Sequence, residues 1–245
     1  LICVFAVMVI GACSGVGVIR GIIASAPTID DIVATPTGFL STVLDANGNQ
    51  TATLVASGSN RRAVTIDEIP KNLQHAFVAI EDERFYDHNG IDVTGIIRAG
   101  VKGVASGFHF SEGASTITQQ LLKNTVFTSW TSESSMADKF ERKFQEQYLA
   151  LQLEKVVDKD WILENYLNAI NLGQNTLGVG VASERYFGKD VSDLTLSECA
   201  VLAAITQNPS KYNPITNPQE NGKRRMKVLN NMKDQGYISQ DEYDE

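Results

Sequence analysis

The sequence predicts a mainly α-helical chain that opens with a transmembrane helix and carries one small β-hairpin. Three observations lead there. Leu1 to Ile19 is apolar apart from Ser14 and small glycines, and an apolar run of roughly 18 or more residues is long enough to cross a bilayer. Asn47-Gly48 stands between two short β-type runs, a strong short-range hairpin signal. Over most of the rest, apolar residues recur at helical spacing between recognisable caps.

The elements follow in order. Residues 1–25 are expected to be an uncleaved membrane anchor. A cleaved signal peptide would carry a shorter apolar region, about 7–15 residues. Because the chain opens on Leu1, a preceding cytoplasmic segment is expected, and flanking charge does not set the orientation. Residues 26–64 read as a juxtamembrane linker and hairpin, with strands near Ser41–Leu44 and Gln50–Val55. Thr65-Ile66-Asp67-Glu68 resembles a capping box and Pro70 suits a first helical turn. The helix that follows carries Leu73, Phe77 and Ile80 on one face, with Glu81 at the edge of the stripe. Asp92 is expected to cap a helix bearing Ile96, Ile97, Val101 and Val104. After Ser106-Gly107, Phe108 and Phe110 flank His109 in an apolar loop. Ser115 is expected to cap a short helix running to Lys123, and 125–135 reads as a polar, mobile stretch. Ser135 begins a long helix with Met136, Phe140, Phe144, Tyr148 and Leu151 at helical spacing. Asp160–Ile170 is another helix. Thr195-Leu196-Ser197-Glu198 is a second capping box, before an apolar helix that Pro209 ends. Asn217-Pro218 opens the last long helix and Gly236 stops it.

Size and composition narrow the function classes. The 245 residues suffice for one large domain or two small lobes. A 43% hydrophobic content excludes overall disorder, and a net charge of −8 argues against nucleic acid as a partner. Cys3, Cys13 and Cys199 match no metal motif and are expected to be free thiols. The histidines lack zinc-ligand spacing, and no residue set stands out as a metal site. Neither Ser-x-x-Lys nor Gly-x-Ser-x-Gly occurs, so no serine acyl-transfer nucleophile is visible.

Four segments carry chemistry. Glu81-Asp82-Glu83-Arg84-Phe85-Tyr86-Asp87-His88-Asn89-Gly90 packs four carboxylates, a guanidinium and an imidazole behind an apolar run, a pattern suited to proton transfer on a polar substrate. Gly113-Ala114-Ser115-Thr116-Ile117-Thr118-Gln119-Gln120 opens a helix with hydroxyls and amides. It reads either as an anion site or as a well-capped helix. Arg142 and Glu146 are four apart, which by itself fits a solvated ion pair. Ile162-Leu163-Glu164-Asn165-Tyr166-Leu167-Asn168 lies on a further helix. Gly178-x-Gly180 does not follow a strand, which argues against a dinucleotide loop.

Together the four segments resemble the peptidoglycan glycosyltransferases of glycosyltransferase family 51. Glu-Asp-x-x-Phe-x-x-His-x-Gly stands at 81–90, Gly-x-Ser-Thr-Ile-Thr-Gln-Gln at 113–120, Arg-Lys-x-x-Glu at 142–146 and Ile-Leu-Glu-x-Tyr-Leu-Asn at 162–168. The hairpin and the Gly236-Tyr237-Ile238 ending look like the class A penicillin-binding proteins, in which a transpeptidase domain follows. This chain stops at Glu245, so that domain is expected to be absent from it. The resemblance implies a lysozyme-like, two-lobed glycosyltransferase domain over 65–245, which polymerises lipid II by inverting glycosyl transfer and releases polyprenyl pyrophosphate. It implies Glu81 as the base and Glu146 as a second essential carboxylate that orients cations, helps hold a divalent ion or polarises the donor. Lys123, Arg142 and Lys143 would meet the pyrophosphate, with Asp82, Phe85, His88, Gly113, Thr116, Gln120 and Asn168 shaping the substrate site. No cofactor is required, with magnesium or manganese near the pyrophosphate left open. The expected partners are lipid II, the growing strand, the membrane and other cell-wall synthesis proteins. The expected location is the cell membrane, single-pass, with the catalytic domain on the outer face.

The alternatives come from two other classes. A lytic transglycosylase or glycosidase also uses a carboxyl on a helical scaffold, but its sugar leaving group calls for a general acid more than for the cations 123, 142 and 143. A non-catalytic wall-binding module would be expected to lack a motif carboxylate, and Glu81 and Glu146 are both present. The Phe108–Phe110 loop either dips into the membrane or packs between lobes.

Overall fold

The computed structural model describes residues 17–29, 34–56, 58, 60–106 and 113–245. The expected anchor falls mostly outside these, as do Cys3, Cys13 and the Phe108–Phe110 loop. Among the described residues no helix is long and apolar enough to cross a membrane. The structure is mainly helical with one two-stranded sheet.

Residues 17–24 are the described part of a first helix, α1. Its end meets the long helix through Gln145, whose Nε2 donates to the Ile22 carbonyl at 3.3 Å and to Ser25 Oγ at 3.1 Å. Strands β1 (Ser41–Leu44) and β2 (Gln50–Leu54) pair antiparallel, Thr42 opposite Thr53, with a shift in register after Val43. Asp45 closes the turn by accepting the Asn47 and Asn49 amides at 2.8 Å, and Gly48 takes φ +84°. Both strands are exposed on all residues.

Helix α2 (Lys71–Glu81) is the buried hub: Leu73, Ala76, Phe77 and Val78 are all shielded from solvent. Pro70 is its N-cap, and the expected capping box closes on the preceding turn instead, where the Thr65 amide donates to Glu68 at 2.7 Å. Helix α3 (Val93–Ala105) is capped by Asp92, which accepts the Gly95 amide at 2.9 Å. Its apolar stripe does not enter the core: Ile97, Val101 and Val104 are 61–65% exposed. Helix α4 (Ile117–Thr125) is capped by Thr116, not Ser115. A 3-10 turn at Thr128–Ser132 gives structure to the stretch predicted as mobile. Helix α5 (Met136–Leu153) starts at the Ser135 cap but buries Gln145, Glu146, Leu149, Ala150 and Leu153, leaving Met136 and Phe140 exposed.

Helix α6 (Lys159–Ala169) and helix α7 (Val179–Phe187) follow. Helix α8 (Leu196–Ile205) shows the expected Thr195–Glu198 capping box and is apolar nearly all round, as a central helix must be. Helix α9 (Pro218–Asp234) and the short α10 (Gln240–Asp244) close the chain, with Gly236 at φ +77° between them. The helices pack in two groups, α2 with α8 and α9, and α4 with α5 and α6. One continuous core joins the groups, with Phe77 of α2 edge-on to Tyr166 of α6 at 6.2 Å.

Candidate active site

Helix α2 ends by placing two carboxylates side by side, and their surroundings assign them different work. Asp82 is buried. Its oxygens each lie 3.0 Å from His88 Nε2, and Oδ2 accepts the Ile117 amide at 2.9 Å. That amide belongs to the first turn of α4, where a negative charge is favoured. Asp82 thus joins the end of α2, the following turn and the start of α4. Glu81 faces a cleft of about 610 Å³. Gln120 Nε2 donates to its Oε2 at 3.0 Å, and the Thr206 hydroxyl donates to Oε1. The end of α2 is itself held by α9: Asn231 and Gln235 both donate to the Ala79 carbonyl at 3.0 Å, satisfying an acceptor that the helix leaves free.

Helices α4 and α5 build the cationic side. Lys123 lines the cleft, with Nζ 4.6 Å from the Trp130 ring centre. Burial holds its pKa below that of an ordinary lysine. The charges of Lys143 and Arg142 push the same way, while Glu146 and Glu81 oppose. Glu146 is 1% exposed and so not the solvated partner that its spacing alone fits. Arg142 Nη1 donates to its Oε1, and Lys143 Nζ lies 3.0 Å from its Oε2. Arg142 Nε also reaches Glu133 at 2.8 Å. Lys143 uses its remaining hydrogens on Ser115 Oγ at 2.7 Å and Gln119 Oε1 at 3.2 Å. With a cation on each oxygen, Glu146 does not fit as a divalent-ion ligand. Among the described residues no group of three His, Cys, Asp or Glu is arranged to hold a metal.

The cleft wall therefore brings together Glu81, Asp82, Gly113, Gln120 and Lys123, with Arg142, Lys143 and Glu146 behind Ser115 and Gln119. Four other residues singled out in the sequence lie in the framework. Phe85 is fully buried, edge-on to His88 and under Lys159 Nζ at 4.5 Å. His88 holds Asp82, and its Nδ1 is buried without a partner. Thr116 caps α4 and donates to the Gly90 carbonyl at 2.8 Å. Asn168 pins the linker: its Oδ1 accepts the Val64 amide at 3.0 Å and its Nδ2 donates to the Val64 carbonyl at 2.8 Å. The sequence reading missed Thr206 and, on α9, Arg224 and Lys227, which also line the cleft. Arg224 stacks over Tyr212 at 5.1 Å and leaves its Nε buried and unpartnered. The three-residue spacing of 224 and 227 was the available signal.

The helical scaffold sets a carboxylate, Glu81, and a lysine, Lys123, in the wall of one polar cleft, an arrangement suited to a polar, charged substrate. The Transglycosylase family matches residues 47–233, so the chain belongs to that family. It is 43% identical over 235 residues to penicillin-binding protein 1A of Clostridium perfringens (strain 13 / Type A), covering 93% of this chain and 33% of that protein. It is 46% identical over 200 residues to penicillin-binding protein 1F of Bacillus subtilis (strain 168), covering 81% of this chain and 26% of that one. Among solved structures, penicillin-binding protein 1A from Haemophilus influenzae aligns at TM-score 0.45 and 24% identity, over 85% of this chain and 20% of that chain. The chain spans about a third or less of the length of these relatives.

Proposed function

We propose that this chain joins lipid II units into peptidoglycan glycan strands by inverting glycosyl transfer. The acceptor sugar hydroxyl attacks the anomeric carbon of a lipid-linked donor. As the new C–O bond forms, the hydroxyl proton passes to Glu81. The bond to the pyrophosphate breaks, and its electron pair departs with the polyprenyl pyrophosphate. That leaving group needs positive charge and hydrogen-bond donors more than a general acid. Lys123 and Arg142 supply charge and donors, Lys143 adds charge while its hydrogens stay on Ser115, Gln119 and Glu146, and Glu146 keeps Arg142 and Lys143 in place. In this reading no cofactor is required, and magnesium or manganese near the pyrophosphate is left open to test.

One observation carries this reading: Lys123 lines the cleft with Glu81 and lies within electrostatic reach of both Glu81 and the Arg142–Lys143–Glu146 cluster. A base and a cationic cluster within reach of one ammonium suit a reaction that takes up a proton and releases an anion.

In the same reading residues 1–25 anchor the chain as a single-pass membrane protein. Residues 26–64 form the linker and hairpin, and 65–245 form a two-lobed, lysozyme-like domain on the outer face of the membrane. The exposed stripe of Ile97, Val101 and Val104 on α3 supports contact with the lipid that carries the substrate. The growing strand and other cell-wall synthesis proteins are the remaining partners. The deciding experiment incubates the full chain with lipid II and sizes the product. Longer glycan with release of polyprenyl pyrophosphate is expected. Shortening of a preformed strand would replace synthesis with cleavage, and strand binding without either change would leave a wall-binding module.

A further inference from the structure

The geometry points to Thr206 as a positioning residue for Glu81, a hydroxyl with two settings that serves both charge states of that carboxylate; this rests on Glu81 being the base. Thr206 is the C-cap of α8 and is 125 positions away from Glu81 in the chain. Its hydroxyl reaches two acceptors, Glu81 Oε1 and the Ala203 carbonyl at 3.0 Å. A threonine hydroxyl has one hydrogen and two lone pairs, so it donates to one acceptor at a time and can accept as well.

While Glu81 is ionised, the hydrogen belongs on Oε1, where the bond is charge-assisted. Once Glu81 has taken the acceptor's proton, its carboxyl is a donor. Thr206 then turns its hydrogen to the Ala203 carbonyl and receives the carboxyl hydrogen on a lone pair. No heavy atom moves. One proton passes from the acceptor oxygen to Glu81, and the Thr206 hydrogen stays on Thr206. Gln120 cannot do this, because the Nε2 that it presents to Oε2 only donates. The two neighbours therefore divide the carboxylate into a fixed oxygen and an exchanging one.

The charged and titratable surroundings of Glu81 are a background common to all Thr206 variants. Asp82 and Glu83 follow it in the chain, Lys123 faces it from α4, and the buried Tyr166 faces it from α6. Across the cleft stand Arg98 and Lys102 on α3 and Arg224, Lys227 and Asp234 on α9.

The test is the pH dependence of the initial lipid II polymerisation rate for the full chain carrying Thr206→Val, Thr206→Ala or Thr206→Ser. Removing the hydroxyl takes a partner from both charge states, but the charge-assisted bond to the ionised form is the stronger, so the protonated form gains and the acid limb moves to higher pH. A shift of roughly one pH unit is expected for Val and Ala, with the limb unmoved for Ser, which keeps the hydroxyl. Thermal melts identify which variants fold, and either folded deletion decides. An unmoved limb in folded Thr206→Val or Thr206→Ala overturns the inference, as does a Ser variant shifted as far as Ala. Glu81→Gln runs alongside. If it is inactive while the Thr206 limbs match wild type, this inference alone fails. If it polymerises near the wild-type rate, the base reading fails and takes this inference with it.

Discussion

His88 Nε2 lies 3.0 Å from both carboxylate oxygens of Asp82, and both side chains are buried. Because Asp82 also receives the Ile117 amide, it works as a joint between α2 and α4. Asp82→Ala leaves a ring N–H and a helix amide buried without a partner. It is expected to cost about 3–5 kcal/mol, read by urea unfolding. Asp82→Asn keeps one acceptor oxygen and should cost clearly less. Equal losses for the two would mean that the carboxylate charge, which both variants remove, sets the effect and the remaining acceptor oxygen does not.

Gly90 is the second joint. It takes φ +86°, and a Cβ there would stand 2.5 Å from the carbonyl carbon and oxygen of Ala150 on α5. Its own carbonyl accepts from Thr116 at 2.8 Å and from Gln119 at 3.4 Å. Gly90→Ala combines left-handed backbone strain with overlap against helix backbone, for a loss of about 3–5 kcal/mol. Polymerisation should fall as well, because the start of α4 sets the height of Gln120 against Glu81. A melting temperature within a degree of wild type would refute the close approach.

Arg142 separates structure from chemistry. Arg142→Ala removes one of two cations from a buried carboxylate and one charge from the proposed pyrophosphate site. The donor-side kcat/KM should drop roughly 100-fold, with acceptor KM little changed. The two terms are separable with a non-extendable acceptor. Unchanged donor kinetics would count against the pyrophosphate role and leave Arg142 as a purely structural partner of Glu133 and Glu146.

Much of the scaffold was legible because caps are local. Asp92, Ser135, Thr195 with Glu198, Pro218 and Gly236 all mark helix ends near where the structure has them. What stayed hidden depends on partners distant in sequence. A stripe such as Ile97, Val101 and Val104 has the same period whether it faces a core or stays exposed. The spacing of Arg142 and Glu146 is the same for a solvated pair and for one whose carboxylate is 1% exposed. Ser115 and Thr116 are both good caps by type, and the structure gives the cap to Thr116 while Ser115 meets Lys143, 28 positions away. Motif membership likewise grouped Asn168 with the substrate site, whereas its amide is taken up by the backbone of Val64. Thr206, Arg224 and Lys227 reach the cleft only because α8 and α9 pack on α2.

Lys123 is expected to set the alkaline limit of the polymerisation rate. Burial is the main cause of its lowered pKa, with help from Lys143 and Arg142 and opposition from Glu146 and Glu81. The ammonium therefore loses its proton at a lower pH than a free lysine would, near 10.4. If that charge steadies the departing pyrophosphate, the polymerisation rate falls as pH rises through the Lys123 pKa. Arginine remains charged throughout this range. Lys123→Arg should move the alkaline limb of the rate profile to higher pH, even if its larger head lowers the maximum. Lys123→Met should remove the limb and lower the plateau roughly 100-fold. The measurement is the initial rate from pH 7 to 10.5 at saturating lipid II. An alkaline limb identical in wild type and Lys123→Arg would assign that titration to another group and remove Lys123 from the anion site.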